Sequence, residues 1–454
     1  MASPASRTAS ASSSLLDKLL RRTLIGGIYP ESSEYRDKLR NMLKRPATVY
    51  AGFDATSDSL HVGNLATIMN LLHFRSHGHR VICVVGDATA MVGDPSGHTK
   101  DRKILDKTVI DSNAKCIERD LLKLFTNHAK YYQKNSEKPW AQPLIIRNST
   151  WYRDKNVIDF VSNVFRHVRV GHLLHKSSIS ERLKYGTGMN MSEFIYQILQ
   201  AYDWLELNRM YNCNLQVGGS DQAGNIYTGH DYIKKSTGSV DSIGLLAPLI
   251  TDVLTGKKLG KSSSKQTSIW LNSSKTSPYQ FYQFFLRTPD EQVEKFLRVF
   301  TFYDDKLIED FLYNNLKKPD DSWYCQRKLA ENICHLVHGD DGLESAKRIS
   351  HAFFEQSPMQ IAMLSDSELD QLFEASSIIT IVGRHDMRVL DLIKKANCFK
   401  NDMDAEQVVR AGGLKINGIK VKSFNALITE DLIIGNNVTI MKVGKRNFFL
   451  FKWR

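Results

Sequence analysis

Seven consecutive residues constrain this fold most. Arg80-Val81-Ile82-Cys83-Val84-Val85-Gly86 is an almost unbroken apolar run closed by a glycine. A strand with one wet face alternates polar and apolar residues. A run without alternation suits a strand covered on both faces, as in a parallel sheet held between helices. Cys83 within it reads as a small core residue. Residues 50–54, 144–147 and 215–218 read as further short strands, and apolar residues recur at helical spacing over 65–74, 103–125 and 192–210. Strands alternating with helices predict a Rossmann-like, doubly wound parallel sheet of the α/β class. Such sheets bind ligands where the carboxyl ends of strands meet the starts of helices.

Three polar segments stand at such places. Tyr50-Ala51-Gly52-Phe53-Asp54-Ala55-Thr56 runs from a strand into a turn, and Ser59-Leu60-His61-Val62-Gly63-Asn64-Leu65 opens a helix. A helix N-terminus offers unpaired N–H groups and a partial positive charge, which suit phosphate. His61 can donate to a phosphate oxygen there, and Gly63 lets a flat base approach the backbone. Alone, this His-x-Gly reads equally as a capping turn. Lys257-Lys258-Leu259-Gly260-Lys261-Ser262-Ser263-Ser264-Lys265 joins lysines to glycine and serines, as a loop closing over a triphosphate would. Nucleotidyl transfer needs positioning and positive charge more than covalent help from the protein. Alone, the segment reads as a solvated basic loop. Tyr196, Gln200 and Asp203, offset by four and then three residues, share one helix face.

The order of the first two signals resembles that of the class I aminoacyl-tRNA synthetases. His61-Val62-Gly63-Asn64 is similar to the His-Ile-Gly-His signature of that class, and Lys258-Leu259-Gly260-Lys261-Ser262 to its Lys-Met-Ser-Lys-Ser. Gly93-Asp94-Pro95-Ser96-Gly97, the stretch from Glu193 to Asp203 and Val217-Gly218-Gly219-Ser220-Asp221-Gln222 narrow the resemblance to the tyrosyl-tRNA synthetases, over about residues 48–286 and again in the C-terminal unit. The resemblance implies that Asp203 accepts from the phenol of a bound tyrosine and Tyr50 donates to it. Tyr196, Gln200 and Asp94 would hold its α-ammonium group, with Gln222 in the same pocket. Gly52, Asp54, Gly63, Gly219, Asp221 and Gln222 would line the adenylate, with Asn64 beside them. Thr56, His61, Lys258, Lys261 and Ser262 would bind the β- and γ-phosphates, and Arg102 would add charge to the departing pyrophosphate. Asn64 departs from a family histidine, and an amide donates a hydrogen bond but carries no charge. His98 stands where the family often has lysine. The implied partners are L-tyrosine, ATP carrying Mg2+ as a substrate and tRNA-Tyr, acting on a homodimer with no tightly bound cofactor and no protein-bound metal. Tryptophanyl-tRNA synthetase, a small-molecule nucleotidylyltransferase and an RNA-binding or group I intron splicing factor on a synthetase scaffold are the competing readings. Tyr50 and Asp203 suit a phenol better than an indole.

The rest of the chain separates by composition. No apolar run approaches the ~20 residues a membrane-spanning helix needs. The six cysteines form no Cys-x-x-Cys pair and fit free thiols. Residues 1–30 are rich in Ser and Ala. They carry Arg7, Lys18, Arg21 and Arg22 against one acid, Asp17, with Leu15, Leu16, Leu19 and Leu20 at helical spacing. This suits a mitochondrial transit peptide or a loose tail, and the expected location is the mitochondrial matrix. The catalytic domain is then expected over 31–275, with an inserted dimerisation segment. A helical domain meeting the anticodon stem is expected over 276–383, and a unit resembling an S4-type RNA-binding domain over 384–454. Residues 388–454 carry 13 Lys and Arg against 6 Asp and Glu, more than half of the chain's net charge of +12. Lys394, Lys395, Arg410, Lys415, Lys420, Lys422 and Lys445 are the candidates to track RNA phosphates.

Overall fold

The computed structural model describes residues 14–96, 101–102, 104–133, 139–184, 188–250, 268–317, 323–355, 360–361, 363–374, 378–381, 387–399, 402–434, 437–444 and 447–454. The chain divides into two compact units, residues 1–275 with 287–337, and residues 276–286 with 338–454.

The first unit is built on a six-stranded sheet of order β1-β6-β5-β2-β3-β4. Its strands are β1 (Gly27–Tyr29), β2 (Thr48–Asp54), β3 (Arg80–Gly86), β4 (Leu144–Arg147), β5 (Cys213–Gly219) and β6 (Ile243–Ala247). β2 to β6 run parallel, and β1 is antiparallel to β6. The apolar run is the strand it predicted: Val81 to Val85 are each at most 2% exposed. Each such aliphatic side chain removed from water contributes ~1.5–3 kcal/mol. From β2 the chain passes through the Val62–Ser76 helix to β3 and through the Lys107–Tyr132 helix to β4. It then winds the other way, through the Met191–Tyr211 helix to β5 and the Ala223–Thr237 helix to β6. The reversal falls between β2 and β5, and a cleft opens at the carboxyl ends of such a pair.

Residues 1–30 are not all a loose tail. Ser14 caps a helix over Leu15–Arg21 that buries Leu15, Leu16 and Leu19. Beyond it Leu24 and Ile25 are buried, and β1 extends the main sheet. The Arg22 guanidinium is buried and donates to the carbonyls of Thr301 and Tyr303 at 2.6 Å. Leucines beside arginines describe a helix docked on a core as well as a targeting helix, and the contacts here are those of the docked kind.

The helical stretch expected over 276–383 is shared. Helices Asp290–Phe300 and Asp305–Lys317 belong to the first unit, and Pro278–Leu286 belongs to the second. The long helix Tyr324–Glu355 is interrupted at Gly339, whose φ of 77° lies in the region glycine favours. The division between units falls beside it. In the second unit, β7 (Ile378–Ile381), β8 (Leu414–Ile416), β9 (Ile419–Lys420), β10 (Val438–Val443) and β11 (Asn447–Trp453) form a sheet of order β7-β11-β10-β8-β9. Its first strand thus precedes residue 384. Helices Val389–Ala396 and Asp402–Arg410 contribute Leu392, Ile393 and Val409 to a core shared with Met441, Phe451 and Trp453. Asn417 and Gly418, both at positive φ, make the two-residue β8–β9 turn. No helix among the described residues is long and apolar enough to cross a membrane.

Candidate active site

One cleft of the first unit is lined by Tyr50, Gly52, Asp54, Thr56, His61, Gly63, Asn64, Asp94, Arg102, Tyr196, Gln200, Asp203, Gly219, Asp221 and Gln222. The fold thus gathers side chains from 50 to 222 in one place. The ends of β2 and β5 supply the Tyr50–Thr56 and Gly219–Gln222 sides, and the Met191–Tyr211 helix supplies the floor.

At the floor lies Asp203, 5% exposed. Its Oδ1 accepts from Trp151 Nε1 and the Tyr152 hydroxyl, both at 2.8 Å, and its Oδ2 accepts from Asn148 Nδ2 at 3.1 Å. Burial nevertheless pushes its carboxyl up to about 7, against the pull of those three donors. Tyr50 is 2% exposed, and its hydroxyl has no hydrogen-bond partner among the described residues. Such an orphan costs ~1–3 kcal/mol unless something fills the cleft. A hydroxyl donor beside a held carboxylate matches the one acceptor and one donor of a phenol.

Asp54 accepts from the hydroxyls of Thr89 and Tyr196, each at 2.7 Å, and burial raises its carboxyl to about 6. A Cβ on Gly86 would overlap both Asp54 Oδ1 and Thr89 Oγ1, so glycine is required there. Because Tyr196 spends its proton on Asp54, its oxygen lone pairs face the cleft as acceptors, which suits an ammonium group. Asp94 is fixed from two sides. Its Oδ1 accepts from Ser96 N at 2.9 Å and its Oδ2 from Gln222 Nε2 at 2.7 Å, while Asn225 Nδ2 donates to Gln222 Oε1 at 2.9 Å. Gln222 therefore acts by holding Asp94.

His61 is the N-cap of the Val62–Ser76 helix, and Asn64 Oδ1 accepts its N–H at 3.1 Å. The amide that replaces a family histidine thus shapes the helix start. Val62 N donates to Ile269 O at 2.9 Å and Leu271 N to Leu60 O at 2.8 Å, so the segment around Trp270 zips onto the His61 turn. Ile250 also lines the cleft. Both flanks of residues 251–267 are therefore anchored at the cleft. Lys258, Lys261 and Ser262 themselves lie outside the described residues, as do His98 and Lys445. Arg102 is placed by its neighbours. Its N–H donates to Glu193 Oε1 at 2.7 Å, and Glu193 in turn pairs at 3.2 Å with Arg182, both side chains 1% exposed. Gly93, at φ 89°, leaves room for the Arg102 side chain.

Sequence reasoning missed Thr89, Asn148, Trp151, Tyr152 and Gln216. Gln216, 3% exposed, lines the cleft with an Oε1 that has no partner among the described residues. Thr89 and Asn148 follow directly on β3 and β4, and the rule that ligands bind at strand carboxyl ends would have flagged both.

Comparison with known proteins identifies the family. The family described as tRNA synthetases class I (W and Y) matches residues 42–355, and the Tyrosine--tRNA ligase SYY-like C-terminal domain matches residues 368–451. The chain is 41% identical to the mitochondrial tyrosine--tRNA ligase of Drosophila melanogaster, over 96% of this chain and 94% of that protein. It is 40% identical to the human one, over 90% and 84%. It belongs to the tyrosyl-tRNA synthetase family. A C-terminally truncated Aspergillus nidulans mitochondrial tyrosyl-tRNA synthetase superposes with a TM-score of 0.67 at 29% identity, covering 75% of this chain and 94% of that one. Family membership accounts for the carboxylate-rich cleft in a chain of net charge +12. Asp54, Asp94 and Asp203 line the cleft, and the basic segment resembling Lys-Met-Ser-Lys-Ser lies outside the described residues.

Proposed function

We propose that this chain activates L-tyrosine with ATP and transfers the tyrosyl group to tRNA-Tyr, serving translation in the mitochondrial matrix. The observation that carries the reading is the orphaned Tyr50 hydroxyl buried beside Asp203. The phenol of bound tyrosine donates a hydrogen bond to Asp203 and accepts one from Tyr50. Its ammonium group meets Asp94, Gln200 and the acceptor face of Tyr196. Its carboxylate attacks the α-phosphorus of ATP, the bond to the pyrophosphate oxygen breaks, and pyrophosphate leaves with Mg2+. His61, Thr56, Arg102, Lys258, Lys261 and Ser262 neutralise that departing charge, and Asp221 accepts from the ribose. The 2′-hydroxyl of the terminal adenosine then attacks the acyl carbon and AMP leaves. Orientation and charge supply the rate, with no strong general base.

Three further features support the finer parts. Val157, Ile158 and Met191 are 71%, 73% and 70% exposed, apolar side chains of the kind a second copy of the chain would cover. Lys420, Lys415 and Lys442 stand directly opposite one another across β9, β8 and β10. Like charges so placed repel, and RNA phosphates relieve that repulsion. Lys394 and Arg410 sit on the neighbouring helices, paired with Asp402 and Glu406, and Lys422 is exposed just past β9. A cleaved leader would end ahead of the Leu15–Arg21 helix, whose Leu15, Leu16 and Leu19 are buried in the first unit.

Tyr50→Phe tests the pocket. It removes a hydroxyl that has no partner among the described residues, so the melting temperature should hold or rise. Tyrosine affinity should fall about threefold to tenfold, the worth of one net hydrogen bond. Unchanged tyrosine affinity in the folded variant would refute the assignment.

A further inference from the structure

Asp203 must keep an acceptor for the substrate while buried among donors, and its surroundings decide which acceptor remains. A carboxylate offers about four acceptor positions, two on each oxygen. Trp151 Nε1 and the Tyr152 hydroxyl occupy both positions of Oδ1, and Asn148 Nδ2 occupies one position of Oδ2. One remains. The Tyr152 hydroxyl also lies 2.9 Å from the carbonyl of Leu199, on the helix that carries Asp203. Its single proton has two acceptors to choose between, and the charge-assisted bond to an ionised Asp203 is the stronger.

Resting on the tyrosine-pocket reading above, we propose that Tyr152 is a specificity-determining positioning residue: its hydroxyl closes Asp203 Oδ1, so that the carboxylate presents one acceptor, on Oδ2, to the phenol of the substrate. Tyr152 never touches tyrosine. It acts by aiming the carboxylate and by keeping it ionised, because a donor on Oδ1 favours the charged form. When Asp203 carries a proton, Oδ1–H donates to Tyr152, and the Tyr152 proton turns to the Leu199 carbonyl. That proton thus leaves Asp203 Oδ1 and the Tyr152 hydroxyl both satisfied, and tyrosine binds best once it is lost. The titratable groups facing Asp203 are Tyr50 and Asp54 from β2, Tyr196 from its own helix, and Tyr152. Burial holds all three tyrosines well above their ordinary range, leaving Asp54 and Asp203 to titrate near neutrality.

The test is ATP–pyrophosphate exchange by the full chain carrying Tyr152→Phe, with tyrosine and phenylalanine as substrates. The ring keeps its contacts with Phe160 and Tyr202, at 5.9 and 5.7 Å. At pH 7 the KM for tyrosine should rise about tenfold, the scale of one hydrogen bond to a charged group, with kcat and the ATP constants nearly unchanged. The phenylalanine constants should not move, so the tyrosine-to-phenylalanine ratio of kcat/KM should drop by the same factor. Raising the pH to 9 should restore much of the tyrosine KM. The ratio is taken on one preparation, so the fraction of folded enzyme cancels. An unchanged ratio, or tyrosine and phenylalanine constants that shift together at every pH, would overturn the proposal. Asp203→Asn separates the two levels. If it too leaves the ratio intact, the pocket reading itself falls; if it destroys the ratio while Tyr152→Phe does not, only the role of Tyr152 falls.

Discussion

Asp203 is asked to do two opposed things, to sit in a buried pocket and to accept a proton-bearing phenol. Burial raises its carboxyl to about 7 in the empty protein, so the ionised, accepting form gains population as the pH rises through neutrality. Tyrosine should therefore bind more tightly at pH 8 than at pH 6 by equilibrium dialysis, and this slope should be much weaker in Asp203→Asn, where only Asp54 still titrates near neutrality. A flat wild-type profile would contradict the assignment. The same shift acts on stability with the opposite sign. The folded value exceeds the ordinary 3.8, so the protein binds more protons folded than unfolded between the two values. That contribution is fully present below 3.8 and is lost as the pH rises through about 7. The stability of Asp203→Asn relative to the ligand-free wild type should thus be greater at pH 8 than at pH 5, by an amount on the order of 2–3 kcal/mol. Tyr196, Gln200 and Asp203 were legible because helix spacing puts them on one face. Asn148, Trp151 and Tyr152 were not, because they reach Asp203 across roughly fifty positions of sequence, and no local pattern marks a residue that works through another.

Among the elements, the long strands were legible where burial on both faces leaves its mark in composition. β3 and β4 lie where the apolar runs place them, and β2 and β5 extend the expected strands by two and three residues. β1 was not legible: three residues, Gly27–Tyr29, are too few for a period, and they pair only because β6 offers an edge. The Leu15–Arg21 helix was misread because an amphipathic basic helix has the same composition whether it addresses a membrane receptor or packs on a core. Truncation distinguishes the two. Deleting residues 1–13 should leave thermal stability and tyrosine activation intact. Deleting residues 1–30 removes β1, the buried leucines and the Arg22 bonds, and should lower the melting temperature sharply. Leu19→Ala alone should cost ~2–5 kcal/mol in urea denaturation, since Leu19 is fully buried. Equal stability of the two truncated chains would show that the helix is not part of the fold.

Across the whole molecule, the two units divide the work by charge. The first lines its cleft with Asp54, Asp94 and Asp203, and the second carries the lysine row across β9, β8 and β10. Replacing Lys415 and Lys420 together with Gln should weaken tRNA binding and reduce the slope of log affinity against log salt by about 2, one for each lost phosphate contact. Activation of tyrosine without tRNA should be unaffected, and a matching loss there would contradict the division. The measurement that reaches the central claim most directly is amino-acid-dependent ATP–pyrophosphate exchange without tRNA, comparing tyrosine, phenylalanine and tryptophan. The buried hydroxyl of Tyr50 beside Asp203 predicts efficient exchange with tyrosine and almost none with the other two; exchange with tryptophan, or with none of the three from folded protein, would contradict it.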